Sequence, residues 1–216
     1  MFIGHFAAGL ALKRLAPRTN LGWLIAAVCF LDLLWPFFLF AGLERVRIDP
    51  GNTAFTPLDF VFYPFTHSLQ MAIVWSIFLG GVYYVFTKYR IGAIALAIGV
   101  LSHWFLDLVV HRPDLPIYAG GEKYGFGLWN SIVGTVFVES ILFAAGIWIY
   151  LRATRARDRA GTYAFWLFIA ILVLSYLGTA LGPPPASETA IFYFAPFAWI
   201  FVALAAWADR HREPGT

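Results

Sequence analysis

The sequence has few charged residues and a single cysteine. Asp, Glu, Lys and Arg make up 12% of its 216 residues, whereas a soluble domain carries about 25%. This shortage, together with 61% hydrophobic residues, excludes an ordinary soluble domain and predicts an integral membrane protein. Because Cys29 has no second thiol to pair with, an intrachain disulfide is also excluded.

The sequence also lacks an internal repeat. Its first half holds nearly all of the ionisable residues that fall within apolar stretches, and the last two apolar stretches hold almost none. Many secondary transporters are built from inverted repeats with matching halves. The asymmetry therefore argues against a transporter of that kind.

Long apolar runs predict one all-α, polytopic membrane domain that covers residues 1–216. A helix rises 1.5 Å per residue, so about 20 apolar residues cross a hydrocarbon core of roughly 30 Å. Segment 1–16 is shorter, and its basic residues follow its apolar part, unlike those of a secretory signal. It predicts a re-entrant or interfacial helix. Six spans are predicted, at about 21–43, 66–87, 91–111, 128–151, 161–181 and 189–207.

Local signals add detail to the first two spans. Pro36 cannot donate a backbone hydrogen bond to the residue four positions earlier, so it predicts a kink beside Asp32. Thr66 is the predicted N-cap of the second span. Glu44, Asp59 and Asp114 fall in the polar loops, where we expect them to be solvated.

Basic residues are distributed unequally between the two predicted sides. Only four of the 15 Lys and Arg residues lie on the side opposite the termini, namely Arg45, Arg47, Arg112 and Lys123. Cytoplasmic loops are enriched in Lys and Arg. We therefore expect a multi-pass protein of the cell inner membrane with both termini in the cytoplasm.

The span at 91–111 carries ionisable residues despite its apolar character. His103, Asp107 and His111 recur every four positions, so a helix places them on one face. A charged side chain at the centre of a bilayer costs at least about 2.5–3.5 kcal/mol. In the fourth span, Ser131, Thr135 and Glu139 show the same spacing. These residues mark an expected functional site.

Three imidazoles and two carboxylates within apolar segments predict a metal site. Imidazole nitrogen and carboxylate oxygen are ligands of zinc and related divalent ions, and an ion would offset the cost of burying the acids. The candidate ligands are His5, Asp32, His67, His103 and Asp107.

The expected chemistry is hydrolysis by activated water. A bound ion lowers the pKa of water towards about 7, and Glu139 or Asp107 is the candidate base. His111, Arg112 and Lys123, near the outer mouth of the predicted bundle, are candidate substrate-binding residues. The two cations would suit an anionic headgroup, so we expect membrane lipids or a lipid-linked substrate as partners, and no nucleic acid.

Four short motifs resemble the membrane-bound metal-dependent hydrolase family of bacteria, which includes the LexA-binding inner-membrane-associated hydrolases. They are Gly4-His5, Leu31-Asp32, Thr66-His67-Ser68 and the stretch from Ser102 to Asp107. The resemblance covers about residues 1–115 and implies that His5, Asp32, His67, His103 and Asp107 bind metal. A second acid near Asp32 and a His-Arg pair before Thr66, both frequent in the family, are absent here, which argues against a two-metal site.

Two other functions remain open from the sequence. A proton- or ion-coupled permease would use Asp32, Asp107 and Glu139 as a relay. A non-enzymatic membrane scaffold would use the same polar residues only to fix helix packing. The sequence leaves the oligomeric state undetermined.

Overall fold

The computed structural model describes residues 1–215, and only the backbone of Phe194 and Ala195. Helices dominate it, which confirms the predicted helical class. The α-helices are α1 (Ile3–Leu15), α2 (Leu21–Val28), α3 (Phe30–Phe40), α4 (Pro64–His67), α5 (Leu69–Thr87), α6 (Arg90–Val110), α7 (Ile132–Ala153), α8 (Arg159–Leu181), α9 (Glu188–Phe194) and α10 (Trp199–Arg210), with 3-10 turns at Leu128–Asn130 and Ala195–Ala198.

Several helices are long and apolar enough to cross a membrane. Among the described residues, five stretches qualify, or six if the bent pair α2–α3 counts as one span. The stretches are α5, α6, α7, α8 and the run from α9 to α10. This arrangement is consistent with a multi-pass membrane protein.

The first predicted span is broken at Cys29 and not at Pro36. Helices α2 and α3 meet there at 56°, whereas Pro36 lies inside α3, which continues to Phe40. The predicted kink position was therefore wrong. The break leaves the Val28 carbonyl at a helix end, where His103 Nδ1 lies 2.7 Å from it. A tertiary contact, invisible to local sequence signals, accompanies the bend.

The second predicted span begins differently from the prediction. Ser68, and not Thr66, is the N-cap of α5, and its hydroxyl accepts a hydrogen bond from the Met71 N–H at 3.1 Å. Thr66 lies in the short helix α4, where its hydroxyl donates to Glu44. Because the Thr66 hydroxyl is bound to Glu44, the next hydroxyl residue, Ser68, caps α5.

Short strands accompany the helices, which the all-α prediction did not include. They form three two-stranded antiparallel sheets. Their members are β1 (Arg45–Ile48) with β2 (Leu58–Phe62), β3 (Leu115–Pro116) with β4 (Lys123–Tyr124), and β5 (Thr154–Ala156) with β6 (Arg212–Pro214).

Helix α1 lies inside the bundle, packed against α2, α6 and α7. Its residues from Ile3 to Ala7 are buried without interruption, so it is not an interfacial helix on the bundle surface. Gly146 of α7 allows the close approach, because a Cβ there would stand 2.6 Å from the Ala7 carbonyl oxygen. At its other end, Lys13 pairs with Asp209 of α10 at 2.6 Å. The first turn of α1 is thereby held deep among the other helices.

Candidate metal centre

The five predicted ligands converge at the first turn of α1. They form two overlapping groups, one of His5, His103 and Asp107 and one of Asp32, His67 and His103. Within each group the nearest nitrogen and oxygen atoms all lie within 4.8 Å of one another. Four separate helices supply these side chains, so only the tertiary fold brings them together.

The first group is fully enclosed by protein. His5 Nε2 lies 3.0 Å from Asp107 Oδ1, and His103 Nε2 lies 3.1 Å from Asp107 Oδ2. The two imidazole rings stack with their centroids 3.8 Å apart. His103 Nε2 is nevertheless buried without a hydrogen bond among the described residues, which is costly for a polar atom.

The second group reaches the edge of the enclosed region. His67 Nε2 lies 3.3 Å from Asp32 Oδ1, and His103 Nε2 lies 3.7 Å from the same oxygen. The Asp32 side chain is 44% exposed, whereas those of His67 and His103 are 4% and 0% exposed. Asp32 is therefore the member of the cluster that is open to its surroundings.

Hydrogen bonds on the far side of the rings orient two of the imidazoles. His103 Nδ1 must carry a proton to donate to the Val28 carbonyl at 2.7 Å, which leaves the Nε2 lone pair directed into the cluster. The Thr66 hydroxyl donates to Glu44 Oε2 at 2.7 Å, so it accepts from His67 Nδ1, also at 2.7 Å. Metal-binding histidines commonly donate their second N–H to a carboxylate or carbonyl in this manner.

Glu44 is the outer member of that chain. Its Oε1 also accepts the backbone N–H of Thr66 at 2.8 Å. Burial raises the pKa of Glu44 above its usual range, against the opposing effects of His67 and the Thr66 hydrogen bonds. A carboxylate that the sequence places in a solvated loop is in fact buried, with 2% exposure, so the prediction of a solvated Glu44 was wrong.

The cluster could hold a metal ion. Two ligand atoms each about 2.1 Å from a tetrahedral ion lie about 3.4 Å apart, which is close to the 3.0–3.7 Å separations here. The donors are the imidazole nitrogens and carboxylate oxygens that divalent metals prefer. His103 Nε2 is buried without a hydrogen bond among the described residues, and an ion at this place would satisfy it.

Glu139 lies beside the cluster but in neither group. Its Oε2 accepts the backbone N–H groups of Phe2 and Gly4 at 2.9 and 3.1 Å, so the carboxylate stands at the N-terminus of α1, where negative charge is favourable. Its Oε1 is buried without a hydrogen bond among the described residues. Through its hydrogen bonds to Phe2 and Gly4, Glu139 holds the start of α1 in place. At the same end, the Met1 amino group lies 2.5 Å from Asp107 Oδ1.

The three predicted substrate-binding residues occupy different settings. His111 is buried and its Nδ1 lies 2.9 Å from Asp114 Oδ1, while its Nε2 is 3.9 Å from Asp107 Oδ2. Arg112 already binds Asp59 at 2.5 Å and Asp114 at 3.1 Å. Lys123 is exposed on β4.

Asp59 and Asp114 are both buried, with 6% exposure each, so the prediction that they are solvated was wrong. The sequence offered one usable signal for Asp114, its position three residues after His111. For Asp59 the nearby signal was Arg47, which lies opposite it on β1 and binds it at 2.6 Å. Its second partner, Arg112, is distant in sequence.

An all-helical bundle with a buried His/Asp cluster defines a candidate metal-binding membrane protein. Comparison of the chain with protein-family models, curated proteins and solved structures gives no match. The resemblance to membrane-bound metal-dependent hydrolases stays a prediction.

Proposed function

We propose that this protein is a metal-dependent hydrolase of the bacterial inner membrane that acts on a lipid or a lipid-linked substrate. The observation that supports it most is the convergence of His5, Asp32, His67, His103 and Asp107 at one place. Such a set is costly to bury in an apolar bundle unless a cation balances it.

His103 belongs to both groups, which favours one ion over two. Its Nδ1 is occupied by the Val28 carbonyl, so only Nε2 is available, and one lone pair serves one ion. We infer a single centre that draws its ligands from the five residues. Zinc is the proposed ion, because imidazole and carboxylate are its usual ligands in hydrolytic sites.

The bound ion would supply Lewis-acid activation of water and of the scissile bond. The residues of the chain have separate roles around it. His5, His67 and His103 would hold the ion through Nε2, and the orienting contacts behind His67 and His103 keep these two nitrogens in place. Asp107 Oδ1 already faces His5 and the Met1 amino group, so Oδ2, which lies 3.1 Å from His103 Nε2, is the oxygen that would bind the ion or accept a proton from water. Glu139 acts by fixing the start of α1, which carries His5.

The membrane orientation is part of the same proposal. Lys13 and Asp209 meet at one end of the bundle, and the paired strands β5 and β6 join the α7–α8 connection to the residues after α10. That end is rich in Lys and Arg, so we place it and the C-terminal segment in the cytoplasm. Met1 lies at the opposite end of α1 from Lys13, with its amino group buried beside Asp107, so these contacts do not support the expected cytoplasmic N-terminus. A reporter enzyme that works only in the cytoplasm should then be active when it is fused after residue 216, and a reporter that works only outside the cytoplasm should be inactive there.

The test is the metal content of the purified full-length protein. We expect about one divalent ion per chain by elemental mass spectrometry, and loss of that ion in His103→Ala and in Asp107→Ala. Ser102→Ala is the matched control, because Ser102 neighbours His103 on α6 but bonds only to the Gly99 carbonyl. Absence of stoichiometric metal, or equal metal in all four proteins, would refute the proposal.

The alternatives give different outcomes. A scaffold predicts that Asp32→Asn lowers thermal stability in detergent while no metal is found in the parent protein. A permease predicts uptake into proteoliposomes that responds to a pH gradient.

A further inference from the structure

The metal centre is closed at both ends of the bundle. Towards the loops, the Tyr63 ring (1% exposed) stacks on His111, and Trp35 packs edge-on against His67. Towards the end that carries Lys13, fully buried aliphatic side chains separate the centre from the ion pair, among them Leu10, Leu24, Ile25, Leu96 and Val100. Neither end offers an open channel.

One side of the centre is different. Next to His5 and Asp32 lies a cavity of about 50 Å³, whose other lining residues are apolar except for the thiol of Cys29. It lies between the α2–α3 bend and the start of α10, with Ala198, Phe201 and Val202 as its outer wall. Asp32, whose side chain is 44% exposed, is one of the residues that line this cavity.

The segment that forms the outer wall lies at the edge of the bundle, although the C-terminal part of α10 packs against α2 and α8 and is anchored by Asp209. The stretch from α9 to α10 is interrupted by the 3-10 turn Ala195–Ala198, and only 6% of its membrane-length window is buried, against 44% for α6. Phe201 contacts Phe6 and Phe2 through ring centroids 5.5 and 6.2 Å apart. A displacement of this peripheral segment would open the cavity to the apolar surroundings while leaving the ligand-bearing helices in place.

We propose that the substrate reaches the metal centre sideways, through this gap between the α2–α3 bend and the start of α10. The proposal rests on the proposed function, and it specifies the substrate class. The cavity has room for only a few water-sized groups, so it takes a small polar head. The attached hydrocarbon chain stays in the apolar gap beside Phe201 and Val202. The bond that is cut would therefore lie within a few atoms of the hydrocarbon chain.

The chain contains its own reporter for this route. Cys29 is the only cysteine and lines the cavity, so its modification measures access to the gap. We would compare two thiol reagents on the full chain in phosphatidylethanolamine–phosphatidylglycerol vesicles, using intact mass spectrometry. One is dodecyl methanethiosulfonate, which partitions into the bilayer, and the other is its charged trimethylammonium-ethyl analogue, which stays in water.

We expect the dodecyl reagent to modify Cys29 at least tenfold faster than the charged reagent. Ala198→Trp, which fills the outer wall, should slow that reaction at least tenfold. Ala203→Trp is the matched control, since Ala203 is exposed on α10, which begins directly after Ala198, and it should react like the parent. Phe201→Ala removes a ring from the cavity lining and should accelerate the reaction. This second variant tests the gap even if Ala198→Trp does not fold. Cys29→Ser should not react.

The proposed route is overturned if the charged reagent reacts as fast as the dodecyl reagent. It is also overturned if Ala198→Trp and Ala203→Trp react alike, or if Phe201→Ala reacts no faster than the parent. Metal content is measured on the same samples before labelling. Retained metal with failed labelling predictions refutes the route alone, whereas absent metal in the parent refutes the proposed function.

Discussion

His103 is the residue that belongs to both groups of the candidate metal centre. Its position one turn before Asp107 on α6 brings the two side chains together, and the end of α2 supplies the carbonyl that orients its ring. The orientation of the His103 ring therefore depends on the positions of both α2 and α6. A movement of α2 relative to α6 would misdirect the Nε2 lone pair without changing any ligand.

The contact chain from Glu44 through Thr66 to His67 leads to a prediction at the same scale. Thr66→Val removes the hydroxyl that accepts from His67 Nδ1, and Glu44→Gln removes the carboxylate behind it. We expect each change to weaken metal affinity about 10- to 100-fold, as measured by competition with a zinc chelator.

Glu122→Gln serves as the control for loss of a carboxylate. Glu122 lies in the other long loop, where its carboxylate accepts from the exposed Tyr124 hydroxyl. Unchanged affinity in Thr66→Val would show that the chain does not support His67.

The sequence alone singled out the five residues that converge in the candidate metal centre, because an ionisable side chain in an apolar segment is conspicuous. It did not predict the burial of Glu44, Asp59 and Asp114, since an acid in a polar loop looks the same whether the loop is solvated or folded back. Their burial depends on distant partners such as Arg112, which local composition does not reveal.

At the scale of elements, the approach of α1 to α7 controls where His5 lies. Glu139 accepts hydrogen bonds from the backbone at the start of α1. Gly146, two turns further along α7, has no side chain, so the Ala7 backbone approaches it more closely than a Cβ would allow. Together these contacts fix α1 along its N-terminal half. The same helix carries His5 only two residues before Ala7.

Gly146→Ala is therefore expected to push α1 away from α7. The added Cβ would stand 2.6–3.0 Å from Ala7 backbone atoms, which cannot rotate away. We expect lower thermal stability in detergent together with weaker metal binding. Gly81→Ala on α5 is the control, because nothing lies within 4 Å of its added Cβ and alanine favours the helix. If both variants bind metal like the parent, α1 does not position His5 through this contact.

The positions of the long helices were predictable where the length and hydropathy of an apolar run define them. The predicted spans at 91–111 and 161–181 agree closely with α6 and α8, since long apolar runs leave few alternatives. The break at Cys29 and the paired strands were not predictable. Each depends on a partner far away in the chain, as with His103 for the break and β6 for β5.

At the scale of the whole molecule, a second buried polar group anchors the end opposite the metal centre. Asp209 accepts from Lys13 Nζ at 2.6 Å, the Tyr150 hydroxyl at 2.7 Å and the Leu21 N–H at 3.0 Å. These contacts join α1, α2, α7 and α10. The bundle is thus held together by polar contacts at two levels, with apolar packing between them.

Asp209→Ala should destabilise the fold and spare the metal centre. It leaves Lys13 buried without its carboxylate, which costs about 3–5 kcal/mol when one partner of a buried pair is removed. We expect this loss in reversible denaturation in detergent, with metal stoichiometry retained in the folded fraction. The double variant Lys13→Met/Asp209→Ala should recover part of the loss.

The exposed ion pair between Arg155 and Glu213 provides the comparison. Glu213→Gln should change stability by less than about 1 kcal/mol. An Asp209→Ala variant as stable as Glu213→Gln would contradict the anchoring role.

The β5–β6 pairing has a practical consequence for anyone who attaches a label to the end of the chain. Arg212 within β6 lies over the rings of Tyr150 and Phe165, and the Gly215 N–H bonds to the Ala153 carbonyl. A fluorescent or affinity tag joined directly after Thr216 would begin beside this docked strand and strain it. A flexible Gly/Ser spacer of about ten residues would separate the tag from the strand by roughly 15–20 Å and leave the β5–β6 pairing intact.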